Sequence, residues 1–396
     1  MIAFGRLPNG YAPDLKSRCS PVLGPGEAGG SGSVLYRKAH KEVNVPNPYY
    51  LRSILSLILG GFASCCVLSA PPPAQEATDY ATHFNRGQEL LRQMRFHESN
   101  AEFREAARLN PQYLPAQQAL AVTYALNQNF VMSWKQVRLL RQSHVDVPKE
   151  FLQQLSASLS EAEAAKQEED IEKNLTAAQK AAVEHSDNPA LLAALGTALN
   201  KAGDYPAAQR AAYQALQLDP NQPEAHFLLG SILGGEPPTS EEAIPHLKVY
   251  LQNVPRTPES TKDVTQAYRV LGDLYRRSGR EQQALQNYEE GLRTAPDEAS
   301  ILNNAAWTYA SAQDASLRNP ERALAYARKA VALSKGEKAI YLDTLAEALY
   351  ANRLFDEAVA TEKKALSMEP QSEFYPDQLK KFQAAQRQAQ QSSPKG

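Results

Sequence analysis

The stretch LAALGTALNKAGDYPAAQRAAYQALQLDP, residues 192–220, decides the fold. Leu192, Leu195 and Leu199 recur at helical spacing, and Tyr205, Ala208, Ala212 and Ala215 form a second run of the same kind beyond a Gly-Asp break. Two helices joined by so short a turn lie antiparallel. A residue as small as Gly196 in the first helix lets the second approach closely, and Pro220 ends the second helix.

The same pattern returns three times without gaps. Gly87, Phe96, Ser99, Phe103 and Ala106 precede Pro111; Gly272, Glu281, Ala284, Tyr288 and Gly291 precede Pro296; Ala346, Phe355, Ala358, Glu362 and Ala365 precede Pro370. The small residue of the first helix stands 24 positions before the proline in all four units. Three further units are degenerate: one carries Leu120, Ala121, Tyr124, Phe130 and Ser133, a second His226, Leu229, Gly230, Leu233, Ala243, Leu247 and Pro255, and a third Leu302, Ala305, Ala306, Tyr309, Ala323, Ala327 and Ala330. No unit of this size buries its apolar face alone, so the units must stack. The chain is therefore expected to be all-α, an α-solenoid of helix pairs.

Spacing and residue types resemble the tetratricopeptide repeat, whose period is about 34 residues. The expected organisation is two repeats over 80–148, a degenerate helix pair over 149–188, repeats over 189–255, a linker at 256–264, repeats over 265–370 and a polar capping helix and tail over 371–396. Over 149–188 the apolar positions Phe151, Leu155, Leu159 and Ala162, then Ile171, Leu175, Ala178 and Ala182, also suit a single long helix that divides the array.

Residues 1–50, rich in Gly and Pro, have too little periodic apolar surface to offset chain entropy and are expected to be disordered or untranslated. The apolar, uncharged segment 53–70 follows Arg37, Lys38, Lys41 and Arg52, the order of charge and apolar run found in export signals. Within it Phe62-Ala63-Ser64-Cys65 resembles a bacterial lipoprotein signal, which would make Cys65 the lipidated residue; ordinary cleavage and an uncleaved anchor over 51–70 are the other readings. The Pro-rich stretch 71–79 would be the tether. The expected location is outside the cytoplasm, periplasmic or at the outer membrane.

Lys+Arg 42 against Asp+Glu 44 leaves a net charge of −2, so no global positive field favours nucleic acid. The three cysteines, Cys19, Cys65 and Cys66, all precede the repeats, which rules out a disulfide or Cys-metal framework within them. The seven histidines, His83, His97, His144, His185, His226 and His246 among them, show no metal-ligand spacing, and no hydrolase or zinc-enzyme motif occurs. No catalytic activity, metal or cofactor is expected.

The resemblance implies that the first helices of successive repeats line a concave groove that takes a protein or peptide. Carried onto this chain, the groove positions are Phe84, Gln88 and Leu91; Phe227 and Ser231; Arg269, Asp273 and Arg276; Asn303, Asn304 and Trp307; and Asp343, Glu347 and Tyr350. Trp and Arg are the residue types that most often dominate interfaces. Trp307 could equally pack on a following helix, and Asp343 with Glu347 could be a solvated face. Some tetratricopeptide co-chaperones clamp a peptide's terminal carboxylate; Arg269 and Asn304 stand at two of those positions, but Asp273, Ile340 and Thr344 at others do not fit. The expected function is a non-catalytic interaction scaffold. Its alternatives are an assembly factor of a cell-envelope complex that works through its convex face, by self-association among other routes, or an accessory subunit of an envelope glycan-modifying or secretion enzyme.

Overall fold

In the computed structural model of the chain the described residues are 79–235, 240–370, 372 and 374–392. The expectations for 1–50, for the apolar segment with Cys65 and for 71–78 lie outside them. No helix among the described residues is long and apolar enough to cross a membrane.

The described residues form seventeen α-helices. In chain order α1 (Asp79–Arg92), α2 (Phe96–Leu109), α3 (Leu114–Leu126) and α4 (Phe130–Gln142) make two pairs; α5 (Lys149–Ser158) and α6 (Glu161–Glu184) interrupt the pattern. Five pairs follow: α7 (Pro189–Lys201) with α8 (Tyr205–Leu218), α9 (Pro223–Gly234) with α10 (Ser240–Asn253), α11 (Thr261–Arg277) with α12 (Glu281–Thr294), α13 (Ala299–Ser311) with α14 (Pro320–Leu333), and α15 (Ala339–Ala351) with α16 (Phe355–Met368). The single helix α17 (Tyr375–Ser392) closes the array.

The turns of five pairs share one construction. Met94, Gln128, Gly203, Gly279 and Arg353 all adopt positive φ, between 58° and 76°. The next amide then reaches back to the end of the first helix, as Asp204 N to Leu199 O (2.9 Å) and Arg280 N to Tyr275 O (2.8 Å), which satisfies a carbonyl the helix leaves open. Some starts carry side-chain caps: Asn188 and Asp204 accept from amides of the first turn, each with a proline at the start of its helix.

Close approach explains the small residues. A Cβ on Gly87 would lie 2.6 Å from the Phe103 ring, and one on Gly196 2.7 Å from Leu228. One apolar core runs without interruption from Ala182 through Leu229, Leu271 and Ala306 to Ala348, and a separate pair of clusters serves α1–α6.

Over 149–188 the structure has two helices of unequal length. Leu159 is extended and its carbonyl accepts the Trp134 indole N–H at 2.9 Å; Ser160 then starts α6 with a capping box to Glu163. Only Ala164 and Ala182 of α6 are buried, the first in the core of α3–α5 and the second in the core of α7–α15, so α6 links two cores instead of filling a repeat slot. Its side carries Glu161 paired to Arg141 (3.0 Å), Glu172 to Lys135 (2.9 Å) and Glu168 to Arg138. The two blocks also meet at the α7–α8 turn. Arg104 donates to Gly203 O (3.0 Å) and pairs with Asp204 (3.0 Å), Asn129 donates to Lys201 O (3.0 Å), and Tyr205 joins the core of α1–α4. At 256–260 the chain makes a tight turn in which Ser260 Oγ donates to Pro255 O at 2.5 Å. Because α11 packs on both α9 and α10, this second candidate break leaves the array continuous.

Candidate functional site

Successive first helices, α7 to α9, α9 to α11, α11 to α13 and α13 to α15, pack on one another, while contacts between the successive second helices of this block are sparse. The first helices therefore line the inner side of the curve. On α13 every position that is not buried, residues 299, 300, 304, 307 and 311, falls on one strip at helical spacing. On α11 Gln266, Arg269, Asp273 and Arg276 form the matching strip, with only Gln266 fully exposed.

Asp273 is the hub between these strips. Its Oδ2 accepts from Arg269 Nη1 at 2.9 Å; its Oδ1 accepts from Asn304 Nδ2 at 2.8 Å and from the Tyr288 hydroxyl at 2.7 Å. Burial, reinforced by the Asp273 charge, pushes the Tyr288 hydroxyl well above its ordinary range, so it stays a donor. Arg269 also donates to Gln266 (3.1 Å), and Arg277 donates to Gly234 O (2.6 Å), which ties α11 to α9. The arrangement holds one guanidinium, one carboxylate and one amide in fixed positions on a surface that water reaches only partly. Interactions of charged groups at such half-buried sites are less screened than at a flat surface.

The remaining expected groove residues divide. Phe84 and Leu91 lie in the core, with Phe84 against Phe103 and Tyr113 at ring distances of 5.4 and 5.2 Å; Gln88 is half-buried beside them. Phe227 is half-buried and stacks on Tyr250 at 4.8 Å, with Ser231 on the same helix. Asn303 is buried beside Asn304. Trp307 is half-buried and packs on the cluster of Leu342, Ala365, Phe374 and Tyr375, so the following-helix alternative describes it.

Asp343 and Glu347 need correction. They lie on no open groove and on no solvated face: they are 0% and 5% exposed, covered by α17. Lys381 of α17 donates to Glu347 at 2.5 Å, and Tyr350 stacks on Phe382 at 5.4 Å with Lys381 over its ring at 4.7 Å. Arg269 and Arg276 do not reach these acids; the acid partner of Arg269 is its own helix neighbour, because i, i+4 spacing on one helix is closer than a step across two repeats.

Sequence reasoning passed over Tyr288, Glu362 and Lys381 as site residues. A signal was present for two of them: Tyr288 and Glu362 occupy the position held by Phe103 and Ala212 in other units, eight before the proline, where a polar atom is out of place. It also missed that His226 and His246 meet, Nδ1 to Nδ1 at 2.8 Å. Among the described residues no group of three or more His, Cys, Asp or Glu could hold a metal ion.

Residues 189–232 and 265–298 match the tetratricopeptide repeat family. The chain carries tetratricopeptide repeats. Solved structures similar to it include YrrB, "a TPR protein with an unusual peptide-binding site", at 14% identity over 52% of this chain and 98% of that one, with a TM-score of 0.43. MamA is 23% identical over 46% of this chain and 92% of that one, with a TM-score of 0.37. Yeast Tom70 is 14% identical over 91% of this chain and 73% of that one, with a TM-score of 0.37. No curated protein matches the chain. The second matched tetratricopeptide repeat contains Arg269, Asp273, Arg276 and Tyr288, so the polar hub is built on a recognisable repeat and completed by Asn304 of the next pair.

Proposed function

We propose that the protein is a non-catalytic scaffold that holds a peptide or protein segment on the inner face of α11 and α13. Tetratricopeptide repeats are in general protein-interaction scaffolds, and solenoids present extended concave surfaces for that purpose. The observation that carries the reading is the Arg269–Asp273–Asn304 hub, a set of donors and an acceptor fixed in place before any partner arrives. A preorganised surface loses little freedom on binding. An extended segment offers backbone C=O and N–H groups to such a hub, and the half-buried Phe227 supplies apolar contact beside it.

The test is selection of peptides from a random displayed library against the full chain. Selected peptides should bind the Arg269→Ala/Asn304→Ala variant about tenfold or more weakly, in keeping with the loss of buried polar anchors. Equal affinity for the variant at unchanged helicity removes the hub from the function. We further propose that the apolar segment before the repeats exports the chain and tethers it at a membrane through Cys65. The order of basic and apolar residues there supports this, and mass spectrometry of the mature amino terminus tests it.

A further inference from the structure

The carboxyl-terminal helix covers a cluster of acids that the rest of the fold does not balance. Asp343 of α15 and Glu362 of α16 are both 0% exposed, and none of their four carboxylate oxygens has a hydrogen-bond partner. Glu347, one turn beyond Asp343, is 5% exposed and takes the single ammonium within reach, Lys381, together with Gln378 Nε2 at 3.3 Å. The other titratable groups that face the cluster are Glu369, from the segment after α16, and Tyr375, at the start of α17. One cation thus stands among three carboxyl groups. A buried carboxylate without a partner is strongly unfavourable, whereas the protonated acid is tolerable.

Everything that seals the cluster belongs to α17 or its approach. Phe382 is fully buried against Leu349, Ala358 and Val359, and Phe374 and Tyr375 pack on Leu342 and Ala365. The rest of α17 is largely polar, and its hold on the array comes from these rings, Leu379, Lys381 and the Gln386 amide, which donates to Asp356 at 2.6 Å. Lifting α17 would return Asp343, Glu347 and Glu362 to water, where carboxylates ionise freely.

We propose that α17 is a proton-held latch, docked on α15 and α16 while Asp343 and Glu362 carry their protons and released as these ionise. The latch borders the inner face at Trp307 of α13, which packs on the cluster that holds Phe374 and Tyr375. Burial first, and then the neighbouring Glu347, drives Glu362 up to about 8 against Lys381; burial and both neighbouring acids drive Asp343 well above the usual carboxylate range against the Gln378 amide and Lys381. The docked state therefore binds protons more tightly than the released state. Docking is firmest at pH values below the ordinary carboxylate range and weakens as pH rises from there through about 8, where Glu362 ionises in place.

Amide exchange on the full chain tests this, with the intrinsic rate divided out against a peptide spanning residues 375–392. Between about pH 6 and about pH 8.5 protection of α17 should fall about tenfold or more, while α11 and α13 keep theirs. The Asp343→Asn/Glu362→Gln variant, which keeps shape without charge, should hold α17 protected at both pH values. Unchanged protection in the wild-type chain overturns the proposal, and so does an equal fall in the variant. The wild-type profile decides even if the variant folds poorly.

Discussion

Adding one methyl group at Gly272 should damage the candidate site and the repeat beneath it together. A Cβ on Gly272 would lie 2.3 Å from Cε1 and 2.5 Å from Cδ1 of Tyr288, far inside ordinary contact. The ring cannot yield cheaply: it is fully buried, and its hydroxyl is bonded to Asp273 at 2.7 Å. Ala in place of Gly in a helix interior gains about 1 kcal/mol. Against that, overpacking costs about 1–3 kcal/mol, and loss of a hydrogen bond to a charged group about 1.5–3 kcal/mol. Gly272→Ala should therefore lose about 1.5–5 kcal/mol from the part of the array built on α11–α13. Urea unfolding followed by circular dichroism measures it, with Gly279→Ala as comparator. At Gly279 an added Cβ meets nothing within 4 Å, so only the positive φ of 72° resists it, at a cost of about 1–2 kcal/mol. In a Tyr288→Leu background, with the ring gone, Gly272→Ala should become nearly neutral, a coupling that a double-mutant cycle reads directly. If Gly272→Ala is no worse than Gly279→Ala, or shows no coupling to Tyr288, then close helix approach is not what fixes Gly272 or positions Asp273.

The histidine pair predicts a pH dependence opposite in sign to that of α17. His226 Nε2 donates to Pro220 O at 2.9 Å, and its Nδ1 meets Nδ1 of His246 at 2.8 Å. Burial, and then His226, lowers the affinity of His246 for a proton; the unfolded chain protonates first, and stability present above the ordinary histidine range is lost as pH falls through the lowered value. Amide exchange in α9 and α10 should speed up below about pH 6.5 and lose that dependence in His246→Gln. Ser160→Ala removes the half of the α6 capping box in which Ser160 Oγ accepts from Glu163 N and leaves the Ser160 N–H bond to Glu163, and the first turn of α6 should exchange roughly fivefold faster while α7–α16 are unchanged.

Much of the repeat architecture was legible because it is written at short range. Gly87, Gly196 and Gly272 stand where helices nearly touch, and Phe96 and Tyr205 open second helices as buried residues. Asp273 and Arg269 could be placed on one helix face by counting, but their shared partners could not. Asn304 and Tyr288 reach Asp273 from two other helices, across 31 and 15 residues of chain. The segment 149–188 shows the same boundary. Its helices were readable from Phe151, Leu155 and Ile171, yet the junction of two cores by α6 depends on Ala164 and Ala182 lying in different clusters.

The sequence by itself determined that the chain is helical, paired and repetitive, because helix period, turn residues and small contact residues act over a few positions. The tertiary structure alone decided which faces stay open. Asp343 and Glu347 have the spacing of an exposed acidic ridge, and only the docking of Phe382, Tyr375 and Lys381 from α17 turns them into buried acids. Solvent exposure is the sum of contacts from distant parts of the chain, so no local pattern can carry it.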